Sequence, residues 1–187
     1  MRAASDATRA GIVDAGARCI IRDGVTHATM SAIAAECGVS KALLHYHFGD
    51  RAQLVAESAT FLGRRLVARE RRALEHADAA TAIDLLWQWT AREIERGELR
   101  ALLELGTVRD AAIVEAVALA QGERRTTAVR TVTILFERLG LVPRVSAEQI
   151  ASATMLFMHG LVVGEPRDRS IRTGFDVFWL AMLSLGE

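Results

Sequence analysis

Ser40, Lys41, His45, Tyr46 and His47 fall within one short run, and Arg51 follows shortly after. At helical spacing, residues 41–48 place Lys41, Ala42, His45 and Tyr46 on one face, with Leu44 and Phe48 on another. The first set brings together an ammonium, an imidazole, a phenol and a bare methyl. Such side chains suit the phosphates of DNA and the base edges of its major groove. They do not suit a metal, because His45 and His47 are two apart, point differently and lack acidic partners nearby. Catalysis has even less to rest on, since there is no Gly-rich phosphate loop, nucleophile elbow or HExxH. No cofactor is expected.

Two short helices must position that face. Thr29 is a predicted cap for a helix over Met30 to Cys37, and Ser40 caps another that ends near His47. Gly38-Val39-Ser40 joins them as a three-residue turn in which Gly38 can take positive φ. Ile33, Ala34, Val39, Leu44 and Phe48 supply the contacts that hold the pair, and the small Ala34 and Ala35 permit close approach.

The rest of the chain reads as helix nearly end to end. A first helix spans about Ser5 to Arg22, with Asp23-Gly24 as its stop. Asp50 with Gln53 resembles a capping box for a long fourth helix running to about His76. His76 to Ala80 is the clearest boundary, and Thr81 with Asp84 opens the next helix. Further helices are expected over about Glu98–Gly106, Arg109–Gln121, Arg124–Gly140, Ala147–Gly164 and Arg167–Leu185.

Composition agrees with that pattern. The chain has 187 residues, and two prolines among them leave few helix breakers. Its 23 basic residues balance 23 acidic ones, so any affinity for nucleic acid must be local. Lys41 is the single lysine. Cys19 and Cys37 lie in helix-like segments without CxxC spacing, which argues against a metal site or disulfide scaffold and fits the cytoplasm. The N-terminal residues have no apolar core of a signal peptide, and the longest uncharged stretch, Gln149 to Gly164, is short for a membrane span.

The stretch from Thr29 to Leu54 resembles the DNA-binding domain of the tetracycline-repressor-like (TetR) family of transcriptional regulators. That family's pattern is roughly T-x-x-x-I-A-x-x-A-G-V-S-x-G-x-L-Y-x-H/Y-F-x-x-K-x-x-L. Thr29, Ile33, Ala34, Gly38, Val39, Ser40, Leu44, Tyr46, His47, Phe48 and Leu54 match it. Two departures matter, with Ala42 where the family commonly has glycine and His45 where it commonly has tyrosine. The Ala42 methyl either keeps the backbone slightly farther from DNA or touches a thymine methyl.

The resemblance implies an all-α fold of about nine helices. Residues 1–50 would form a three-helix helix-turn-helix domain, and residues 51–187 a larger helical domain for effector binding and dimerisation. The long helix over 51–76 would connect the two. Ser40, Lys41, Ala42, His45, Tyr46 and His47 would touch DNA, and Thr29 would hold a phosphate at the start of its helix. Arg51 takes a lysine position of the family and would add a phosphate contact. Residues 1–53 carry six basic and five acidic side chains, so a single module binds weakly and a homodimer on a roughly palindromic operator is expected.

An unidentified small molecule would act as effector. The resemblance places its pocket among helices four to eight, where Trp87, Trp89, Thr90, Glu93, Met155, Phe157, Met158 and His159 are candidates. The preferred lining is Met155, Met158 and His159, with Trp87 opposite. The last two helices are apolar around more of their circumference than one packed face needs. Phe157, Leu161, Phe175, Phe178, Trp179 and Met182 are therefore expected across a two-fold axis. Arg65, Arg69 and Arg72 on the fourth helix read as a solvated face. A ligand-responsive regulator, most simply a repressor, accounts for these features. The alternative is a helical carrier or enzyme with a vestigial DNA-binding module.

Overall fold

A computed structural model describes residues 2–73, 78, 80–163 and 169–187. Its elements are α1 (Arg2–Asp23), α2 (Met30–Cys37), α3 (Lys41–Phe48), α4 (Arg51–Ala73), α5 (Ala82–Arg96), α6 (Glu98–Leu105), α7 (Ala111–Leu139), α8 (Ala147–Val163) and α9 (Arg169–Leu183). The fold is all-α. Among the described residues no strand forms. The nearest to one is an isolated bridge at Pro143, where Val142 and Glu187 exchange backbone hydrogen bonds. None of the described helices is long and apolar enough to cross a membrane.

Two compact units emerge, each assembled from two pieces of chain: residues 1–65 with 100–121, and residues 66–99 with 122–187. In the first, α2 packs on both α1 and α3. Ile12, Ile20, Ile33, Leu44, Leu54 and Leu62 are fully buried there, and each contributes about 1.5–3 kcal/mol by leaving water. Gly16 of α1 faces Ser58 of α4 so closely that a Cβ would lie 2.5 Å from the Ser58 hydroxyl. In the second unit, α5 packs on α8 and α9. Val132 and Phe136 of α7 meet Ile150 and Ala151 of α8 in its core.

Several expectations are corrected. The two helices expected over Arg109–Gln121 and Arg124–Gly140 are one, α7, which runs straight through Gly122. A lone glycine weakens a helix but does not end one whose flanks are both buried, as Ala116, Val117, Ala120, Ala128 and Val132 are here. Arg69 is not solvated, because two buried carboxylates hold it. Most of the expected break at His76–Ala80, and the end of the helix at Gly164, lie outside the described residues.

Phe175 and Trp179 are also corrected. They are 0% and 2% exposed, so they belong to the protomer's own core and offer nothing to a partner. Met182 likewise packs, half-buried, against the α7–α8 core. Helix α9 is apolar on both faces, and the larger aromatic side chains went inward. Its outward face carries Val177 and Leu180, joined by Leu156 of α8.

Candidate nucleic-acid interface and effector cavity

The α2–α3 pair is set by three local devices. Thr29 is extended, and its Oγ1 accepts from the Ala32 N–H at 3.1 Å. Gly38 ends α2 at φ 68, ψ 29, a left-handed conformation that a side chain disfavours. The next N–H, of Val39, returns to the Ala34 carbonyl. Ser40 then starts α3, its Oγ accepting from the Leu43 N–H at 3.2 Å. Each cap is worth about 1 kcal/mol, which matters for helices of this length. Glu36 binds α2 to α1 by accepting from Arg18 and Arg22 at 2.9 and 2.8 Å, and those guanidinium groups hold its carboxyl below the usual range.

Leu44 and Phe48 anchor α3 in the core, while Lys41, Ala42, His45 and Tyr46 are exposed on the opposite side. Tyr46 is 80% exposed, unusual for so large a side chain. His47 is half-buried on the flank, edge-on to Tyr46 with ring centres 5.2 Å apart. The His45 ring is turned by a 2.7 Å hydrogen bond from Nδ1 to the Gly49 carbonyl. A carbonyl only accepts, so that nitrogen carries the proton and Nε2 is left to face outward.

Thr29 and Ser40 are exposed too, at the starts of their helices, where amide groups attract anions. Arg51 is placed differently from what was expected. Its Nε donates to the Ala28 carbonyl at 2.8 Å, and its Nη2 donates to the Val25 carbonyl. Those bonds occupy two of the donors a phosphate would use and tie the start of α4 to the loop before α2. Spacing carries no hint of this, because the acceptors are backbone atoms of a loop.

The second unit encloses a cavity with a void of about 30 Å³, room for one or two water molecules. Met155 and Met158, two of the residues expected around an effector, line it. The tryptophan that reaches it is Trp89, not Trp87. Trp87 instead packs edge-on against Phe175, with Arg172 over its ring. The buried stripe Ala82, Leu86, Trp89 and Glu93 is the signal that selects Trp89, since these residues recur at helical spacing. His159 stands behind the wall, its Nε2 accepting from Arg124 Nη1 at 3.1 Å. Burial, and then Arg124, depress the pKa of that imidazole, which keeps it neutral.

Glu70 and Arg124 also line the cavity, and neither stood out in the sequence. Burial pushes the Glu70 carboxyl up to about 7, against an opposing pull from Arg124. Of the residues expected across a two-fold axis, Phe157 and Phe178 stack within the protomer at 4.2 Å, nearly parallel, and both remain half-buried, as does Leu161.

Residues 12–58 match the family "Bacterial regulatory proteins, tetR family". Over 58 residues the chain is 47% identical to the HTH-type transcriptional regulator BetI of Agrobacterium fabrum, covering 31% of this chain. It spans only 28% of that relative's length. A TetR transcription regulator from Haloarcula marismortui superposes with a TM-score of 0.77 at 18% identity, over 97% of this chain and 100% of that one. A protein of Saccharomonospora viridis in complex with choline superposes at 0.71 with 21% identity, over 97% and 99%. At such identities the likeness speaks for the fold alone.

Proposed function

We infer, from residues 12–58 that match the family of bacterial regulatory proteins of tetR type, that the chain is a DNA-binding transcriptional regulator acting in the cytoplasm, most simply a repressor. The observation that carries this reading is the outward face of α3. Lys41, Ala42, His45 and Tyr46 stand exposed on a helix capped at both ends and anchored by Leu44 and Phe48. A short helix that buries its aliphatic residues and exposes a tyrosine beside a lysine and an imidazole is shaped to enter a major groove. Ser40 and Thr29 add phosphate contacts from the helix starts. His47 supports Tyr46 from the side, and Arg51 positions α4 more than it reaches DNA.

One module offers too little charge for tight binding, so the working form is a homodimer on a roughly palindromic operator. Its contact runs along the outward side of α8 and α9, where Leu156, Val177 and Leu180 are exposed, with Phe157, Leu161 and Phe178 at the margin. The effector enters the cavity lined by Met155, Met158 and Trp89. It regulates by binding one state of the dimer better than the other, since equal affinity for both shifts nothing.

Gel-shift titration against the DNA upstream of the gene, at several salt concentrations, tests the reading. Sequence-selective binding that weakens steeply with salt is expected. Binding indifferent to both sequence and salt overturns it in favour of a helical carrier.

A further inference from the structure

The cavity of the second unit holds more polar chemistry than its size requires, and most of that chemistry is already spent. The Thr90 hydroxyl donates to the Leu86 carbonyl at 2.8 Å, that of Thr154 to the Ile150 carbonyl at 2.8 Å, and that of Thr131 to Glu70 at 3.2 Å. Arg124 Nη1 is committed to His159. Two groups remain. Trp89 Nε1–H and Arg124 Nε–H are both buried in the cavity wall, and neither has a hydrogen-bond partner.

Both of these groups can only donate. A buried donor without an acceptor costs about 1–3 kcal/mol, so two on one wall mark a place where an incoming group with electron pairs is strongly favoured. One of the two belongs to a guanidinium, which keeps its charge at any ordinary pH. The remaining lining is apolar and adaptable, with Met155 and Met158 unbranched and flexible beside Phe175 and Trp179.

We propose that this cavity takes a small organic anion, a carboxylate on an apolar body, whose oxygens accept from Trp89 Nε1 and Arg124 Nε. The proposal rests on the effector reading given above. The body of the ligand lies against Met155, Met158 and Trp179, and because the void is about 30 Å³ the two unbranched methionine side chains must turn aside to admit it.

The opposite class is disfavoured by the same wall. Tryptophan faces beside a carboxylate can hold a quaternary ammonium, and the structural neighbour from Saccharomonospora viridis is in complex with choline. Here the carboxyl is Glu70, which burial holds partly protonated near neutral pH and which already interacts with the Arg124 charge. A cation would sit against a desolvated guanidinium and leave both donors without an acceptor.

Intrinsic tryptophan fluorescence and isothermal titration of the full chain test this with three matched series. These are carboxylates (butyrate, hexanoate, octanoate and phenylacetate), the corresponding primary alcohols, and choline with alkyltrimethylammonium ions. The best carboxylate should bind about tenfold or more tighter than its matched ammonium ion, the factor expected of charge-assisted hydrogen bonds. Trp89→Phe should weaken that carboxylate by about five- to tenfold. The charge-balanced pair Arg124→Met with Glu70→Gln should weaken it further. An ammonium ion that binds tighter than its matched carboxylate overturns the ligand class and leaves the effector reading standing. A carboxylate that binds equally well to the parent and both variants also overturns the class. Saturable binding by none of the three series overturns the effector reading as well.

Discussion

Arg69 grips Glu93 with both arms of its guanidinium. Nε donates to one carboxylate oxygen at 2.8 Å, and Nη2 donates to the other at 2.6 Å. Glu93 is fully buried, and Glu98, also buried, shares the same arginine. Arg96 adds a bond to Glu93 from the solvent side. This is a buried charge cluster that joins α4, α5 and α6 within the second unit. Removing Arg69 leaves two carboxylates buried with little compensation. Arg69→Met should therefore cost about 3–5 kcal/mol in a urea titration. Adding Glu93→Gln and Glu98→Gln should restore much of that loss. Equal midpoints for the parent and Arg69→Met would show that the cluster contributes nothing.

Glu70 sets a pH dependence of the opposite sign to that of most carboxylates. Its pKa is about 7 in the folded chain against 4.5 for the free side chain, with burial as the main cause. Below about 4.5 both states hold the proton, and the group has no effect on stability. Between 4.5 and 7 the folded state keeps the proton and the unfolded state has lost it, so stability falls as pH rises. The full displacement is worth roughly 3 kcal/mol. Glu70→Gln should remove this component. The unfolding free energy of the variant minus that of the parent should grow from pH 4.5 to 7 and then level. Parallel curves would contradict the assignment.

Tyr46 is the most exposed large side chain of α3, and nothing within the first unit requires it there. Tyr46→Ala should leave the thermal midpoint within a degree or two, because it vacates no core space. It should weaken operator binding by roughly 1–3 kcal/mol per half-site. Fluorescence anisotropy with a labelled operator measures this. Unchanged affinity would remove α3 from the interface.

Lys41 is expected to act through charge. Lys41→Ala should lower the slope of log affinity against log salt by about one for each half-site. It should also weaken specific and non-specific DNA alike. A variant with the parent's slope would place Lys41 away from phosphate.

Leu180 tests the two-fold contact. Its side chain is 72% exposed on α9, so replacing it should not disturb the protomer. Leu180→Glu should shift the protein to monomer in sedimentation velocity and sharply weaken operator binding. A dimer that persists would move the contact elsewhere.

The α2–α3 pair was legible in the sequence, and the reason is local chemistry. Thr29, Gly38 and Ser40 each act on the backbone within four residues, so helix type and limits follow from adjacent positions. The second unit was less legible because its decisive contacts are distant in the chain. Arg69 meets carboxylates 24 and 29 residues away, and Arg124 meets a histidine 35 residues away. No pattern on a single helix reveals that such an arginine turns inward. The α9 aromatic residues misled for another reason. A helix apolar on both sides leaves its rotation to packing, which settles Phe175 and Trp179 inside and Val177 and Leu180 outside. The α7 segments merged because burial on either side of Gly122 outweighs one glycine.

Arg51 ends up as a tether instead of a probe. By holding the Val25 and Ala28 carbonyls it fastens the opening turn of α4 next to the residue that begins α2. Ala28 directly precedes the Thr29 cap, so the start of α4 is linked through that loop to α2. Within the first unit, the start of α4 and the loop over 25–28 are thus held as one piece.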